Sequence, residues 1–99
     1  MRKDTVMSEN YAYPLEPEWE IEEITTVVAL YTAVETAFLN GIDRQLFLNQ
    51  YRDFKQIVKS KSEEKQLTKR FLQASGFDMY VAVKATQTSN RKRIGPLSK

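Results

Sequence analysis

Residues 24–54 read ITTVVALYTAVETAFLNGIDRQLFLNQYRDF, two apolar-periodic segments either side of an Asn-Gly-Ile-Asp break. In the first, Ile24, Val28, Tyr31 and Phe38 form one stripe at helical spacing, and Val27, Leu30, Val34 and Ala37 form a second beside it. Asn40-Gly41 is a helix stop, and Asp43 is placed to cap the next helix. There Phe47, Tyr51, Phe54 and Val58 recur as a coiled-coil-like seam, widened by Leu48 and Ile57. So short a connection forces an antiparallel pair, which sets Val28, Tyr31 and Phe38 against Phe47, Tyr51 and Phe54.

On the N-terminal side, the first helix is expected from about Glu20 to Asn40. Glu20, Glu22 and Glu23 load its first turn with the charge that the helix dipole favours. Its only charge between Ile24 and Leu39 is Glu35, and Thr25, Ala29, Thr32 and Thr36 lie opposite the stripes. A helix so weakly polar all round is central in its fold or covered by another subunit. Either a second copy or the preceding strap is expected over the Thr25, Ala29, Thr32 face. That strap carries Tyr11, Tyr13, Pro14, Leu15, Pro17 and Trp19, and its prolines disfavour helix. Residues 1–10 are polar and aperiodic, a disordered tail in which Met7 is an alternative start.

On the C-terminal side, Ser60 with Glu63 makes a capping box for a third helix, Lys61 to Ser75, with Leu67, Phe71, Leu72 and Ala74 apolar. Ser75-Gly76 ends it. Asp78 caps a short fourth helix, Met79 to Thr86, with Tyr80, Val81 and Val83 as its apolar side. Residues 88–99 are polar and basic and are expected to be disordered. The expected fold is all-α, a small bundle of three main helices plus a short C-terminal helix, in a single domain over residues 11–87 with no strand.

Charge divides the chain in two. Between Asp4 and Asp43 lie nine acidic residues and no Lys or Arg, whereas from Arg44 to Lys99 thirteen basic residues stand against four acidic ones. Such asymmetry suggests a partner surface, because fields of one sign steer association. The chain has no Cys and no His, which removes disulfides, thiolate chemistry, the usual transition-metal ligands and the default general base. The acidic run Glu16, Glu18, Glu20, Glu22, Glu23 lacks the Asp/Gly spacing of a calcium loop. No metal, cofactor or catalytic residue is expected, and no Gly-rich loop or nucleophile motif is present. The longest apolar run, Val27 to Tyr31, is five residues, against the about 20 of a membrane-spanning helix. Arg2 and Lys3 have no apolar segment behind them, so a cytoplasmic protein without a secretory signal is expected.

Several short motifs occur in order: Tyr13-Pro14-Leu15 with Trp19, Glu22-Glu23-Ile24, Gly41-Ile42-Asp43-Arg44, Tyr51-Arg52-Asp53-Phe54-Lys55, Glu63-Glu64-Lys65, Ser75-Gly76, and Tyr80 through Lys84. Over Tyr11 to Ala85 the chain resembles uncharacterised protein family 0223, small cytoplasmic proteins of Gram-positive bacteria. The resemblance implies a compact all-helical fold and carries no activity, substrate or catalytic residue. Two departures stand out. Glu20-Ile21 occupies the place of a Ser/Thr N-cap, and the tail with Arg91-Lys92-Arg93 is longer and more basic than the family pattern requires.

Two functional readings follow. The favoured one is a non-enzymatic protein-interaction module whose acidic side (Glu16, Glu18, Glu20) and basic side meet a protein partner or a second copy. The alternative is an RNA-associated protein. It would hold phosphates through Arg52, Lys55 and Lys59 on the second helix and Lys61, Lys65 and Lys69 on the third, with Arg91-Lys92-Arg93 as an arm. The bland version is that the two charged parts neutralise each other within one molecule.

Overall fold

Four helices make up the body of the computed structural model, which describes residues 7–8 and 11–98. They are α1 (Ile21–Leu39), α2 (Arg44–Ile57), α3 (Lys61–Ser75) and α4 (Met79–Thr88). Two short antiparallel pairs are added: β1 (Met7–Ser8) with β2 (Tyr11–Ala12), and β3 (Ile42–Asp43) with β4 (Arg93–Ile94). The expectation that the chain holds no strand is corrected to that extent. The expected tail over residues 1–10 lies, Met7–Ser8 apart, outside the described residues. No helix among the described residues is long and apolar enough to cross a membrane.

The caps explain where the helices begin. Asp43 Oδ2 accepts from the Leu46 N–H at 2.9 Å, Ser60 Oγ accepts from Ser62 and Glu63, and Asp78 Oδ1 accepts from Tyr80 at 2.9 Å. At α1 the place of the usual hydroxyl is taken by Glu20, whose N–H donates to Glu23 Oε1 at 2.8 Å. Gly76 ends α3 at φ 82°, a left-handed conformation that glycine adopts without strain.

α1 is the most buried element. Val27, Leu30, Tyr31, Ala33, Val34, Ala37 and Phe38 all enter the core. The stacked partners of its rings lie outside α2. Tyr31 stacks on Phe71 of α3 (4.7 Å between ring centres) and on Tyr13 of the strap (5.3 Å), while Phe38 stacks on Phe77. A shallow groove floored by Ala29, Ala33 and Thr36 of α1 has Leu46 and Gln50 of α2 as walls. The rings of α1 thus stack on α3, on the strap and on the segment between α3 and α4, within one core that also holds Phe47 and Phe54 of α2.

Tyr13 and Trp19 are buried, so the strap is part of the core. The Tyr31 hydroxyl donates to the Pro14 carbonyl at 2.8 Å, and the Tyr13 hydroxyl bridges both Glu35 oxygens at 3.0 and 3.1 Å. The single charge in the middle of α1 is thus buried beneath the strap. Thr25 and Thr32 stay exposed, so the strap covers the Tyr31–Glu35 side of α1 and leaves the threonine face open. Thr25, Thr26 and Thr36 donate their hydroxyls to the carbonyls four residues earlier, so that side exposes fewer free polar groups than its composition suggests.

Residues 88–99, expected to be disordered, are instead docked as far as they are described. Ile42 pairs with Ile94 and Asp43 with Arg93, and Ile94 is buried. The Arg44 N–H donates to the Lys92 carbonyl at 2.8 Å and the Leu97 N–H to the Ala37 carbonyl at 3.0 Å. Arg93 donates to the carbonyls of Asn40 and Gly41 at 3.2 and 3.1 Å. The last turn of α1 has no basic residue of its own, and Arg93 brings positive charge to the end of the helix that favours it. Polar composition hid a segment held by backbone bonds and one buried isoleucine.

Candidate functional groove between α2, α3 and α4

Lys61 and Lys65 are four residues apart on α3, so they share a face, and Tyr51 and Lys55 do the same on α2. These two faces and the start of α4 enclose a groove of about 930 Å³. Met79, Val83 and Tyr80 supply its apolar part, and Lys55, Lys61 and Lys65 its basic part. Met79 and Val83 are buried, whereas Tyr80 is 62 % exposed, with Lys84 Nζ 5.9 Å from its ring centre.

Glu64 lies in the same groove and is already engaged. It accepts from the Tyr51 hydroxyl at 2.6 Å and pairs with Lys55 Nζ. Lys55 Nζ also lies 5.9 Å from the Tyr51 ring centre. Burial, and then the bond to Glu64, pushes the Tyr51 hydroxyl well above the ordinary tyrosine range, so it remains a proton donor. This cluster neutralises one side of the groove. Lys61 and Lys65 are exposed, and neither makes an ion pair among the described residues.

Three of the six basic positions singled out from the sequence, Lys55, Lys61 and Lys65, therefore come together. Arg52 is exposed, 3.7 Å from its neighbour Asp53, and lies off the groove, as do Lys59 and Lys69. On the acidic side, Glu16 pairs with Arg70 at 3.4 Å, Glu18 is exposed, and Glu20 caps α1. Tyr80, Met79 and Glu64 were missed as groove residues. The buried side of α4 is Met79, Ala82, Val83 and Thr86, a helical periodicity present in the sequence that turns Tyr80 and Val81 outward. The same burial pattern leaves Leu72 and Ala74 of α3 outside the core.

Internal neutralisation among the described residues is slight. Among the described residues the ion pairs are Arg52–Asp53, Lys55–Glu64 and Arg70–Glu16, and only the last joins the acidic part to the basic part. Two further cations are spent on carbonyls: Arg44 Nε donates to Thr86 at 2.8 Å, and Arg93 serves α1. No group of acidic side chains among the described residues converges to hold a metal ion.

A family model described as an uncharacterised protein family (UPF0223) matches residues 10–95. The match runs past Ala85, where the motifs had placed its end, and takes in the β4 strand. A UPF0223 protein of Streptococcus thermophilus strain CNRZ 1066 is 46 % identical over 82 residues, covering 83 % of this chain and 88 % of the relative. One from Lactococcus lactis subsp. cremoris strain MG1363 is 40 % identical over 88 residues, covering 89 % and 95 %. Another, from Oceanobacillus iheyensis, is 44 % identical over 85 residues, covering 86 % and 97 %.

Proposed function

The chain belongs to uncharacterised protein family UPF0223, and we propose that it is a small, non-enzymatic, cytoplasmic protein-interaction module with opposed acidic and basic faces. The observation that carries this reading is that, among the described residues, Arg70–Glu16 is the one ion pair between the two oppositely charged parts of the chain, while Glu18, Glu20 and Glu22 on one side and Lys61 and Lys65 on the other stay exposed. Charges left in solvent at that density contribute little to folding. They do steer and orient a complementary surface. The groove adds the exposed Tyr80 ring beside Lys61 and Lys65, the combination that gives a docking surface both contact area and specificity. Absence of Cys and His and of any nucleophile motif supports the non-enzymatic part.

The test is retention from the native cell extract on immobilised protein at about 50 mM salt and again at about 500 mM, where screening is severalfold shorter in range. A discrete protein held by wild type at low salt, released at high salt and lost from Lys61→Glu/Lys65→Glu is the expected result. Equal retention by the variant refutes the reading. RNA would use the same lysines. Nuclease-sensitive retention, with a log–log salt slope of about −0.7 per phosphate for single strands, would replace a protein partner with a nucleic acid.

A further inference from the structure

The groove on α2, α3 and α4 has a complement on the same molecule. Ile21, the first residue of α1, is 75 % exposed, the largest exposure among the large apolar side chains of the described residues. Glu18, Glu20 and Glu22 around it are exposed as well, and none of the three makes an ion pair among the described residues. One surface is therefore an exposed isoleucine flanked in the chain by exposed carboxylates. The other is the exposed ring of Tyr80, over the buried Met79 and Val83, beside the exposed ammonium groups of Lys61 and Lys65. No ion pair among the described residues joins the two surfaces within one chain.

We infer that the occupant of the groove is the Glu18–Glu22 patch of a second copy of this chain. Ile21 of one protomer enters the apolar part of its partner's groove, and Glu18 and Glu22 meet Lys61 and Lys65. This rests on the interaction-module reading and names its partner. Such contacts made reciprocally about a two-fold axis use each surface once per protomer, which closes the assembly at two copies. The exposed Ile21 side chain and the exposed Tyr80 ring then leave water together, and the charges fix the register. Lys55 is not needed, because Glu64 and Tyr51 already hold it.

Light scattering on the full chain tests this at about 100 µM protein, with salt at about 50 and then about 500 mM. The expected mass is that of two chains at low salt and one chain at high salt. Ile21→Lys, Lys61→Glu/Lys65→Glu and Glu18→Lys/Glu22→Lys should each give single chains at low salt, with unchanged circular dichroism. Mixing the two charge-reversed variants in equal amounts should restore the double mass, since each then meets the opposite sign on its partner. Single chains for wild type at low salt would overturn the inference, as would a dimer that Ile21→Lys leaves intact or a mixture that stays monomeric. A wild-type monomer that still retains a salt-sensitive protein from extract would sink the second-copy partner and leave the interaction module standing.

Discussion

Replacing Gly95 by alanine should destabilise the domain by about 2 to 3 kcal/mol, although the position lies in a stretch that composition alone marks as a tail. Gly95 has φ 94°, which in an L-residue with a side chain carries a penalty of roughly 1 to 2 kcal/mol. The added Cβ would also overlap the Ala37 carbonyl oxygen and press on the Cα of Gly41, both backbone groups that cannot rotate away. The segment must therefore lift from the end of α1. Lifting it loses the Leu97–Ala37 hydrogen bond, about 1 kcal/mol, and the burial of Ile94, about 1.5 to 3 kcal/mol. It also loses the two bonds from Arg93 at the negative end of α1, about 0.3 to 1 kcal/mol for the dipole alone. Each residue freed regains about 1 to 2 kcal/mol of backbone entropy, which offsets part of these losses. Because lifting is a local event, the penalty cannot exceed the docking free energy itself. A chain ending at Asn90 measures that ceiling. Urea unfolding should place Gly95→Ala close to the truncated chain, with both about 2 to 3 kcal/mol below wild type, or a melting temperature lower by roughly 10 to 20 °C. A Gly95→Ala protein within about 0.5 kcal/mol of wild type would refute the argument, because the segment would then contribute nothing by being docked.

Two further outcomes follow from the core. Tyr31 is fully buried between Phe71 and Tyr13, so Tyr31→Ala should lower the unfolding free energy by about 3 to 5 kcal/mol. Tyr31→Phe, which gives up only the bond to the Pro14 carbonyl, should lower it by about 1 kcal/mol. Burial holds the hydroxyls of both Tyr31 and Tyr51 above their ordinary value near 10, where the unfolded chain ionises. The native state thus keeps protons that the unfolded state gives up, and stability is full below about pH 10 and declines as the pH rises above it. Absorbance at alkaline pH should show these two phenolates appearing together with unfolding. Ionisation of Tyr31 and Tyr51 while the protein is still folded would contradict this.

Helix count, order and starts were legible in the sequence because they rest on local chemistry. Asp43, Ser60 and Asp78 cap helices through side chains that reach only two or three residues along the chain, and Gly76 stops α3 by its own backbone conformation. Periodicity likewise marked α1 as the central helix. The basic rows were legible too, yet which lysines meet in a groove was not. Helical spacing groups Lys61 with Lys65, but bringing them beside Lys55, Met79 and Tyr80 depends on the packing of three separate helices. Packing also decided that Tyr31 would stack on Phe71, forty positions away in the sequence. The docked C-terminal segment was the least legible part. Its pairing joins residues about fifty positions apart through backbone groups that carry no residue signature, and Ile94 is its one fully apolar clue before the glycine. Charge segregation was fixed by the sequence alone. Only the tertiary structure decided that the two signs would stay apart, because Glu18 and Glu22 lie where no cation of the same chain pairs with them among the described residues.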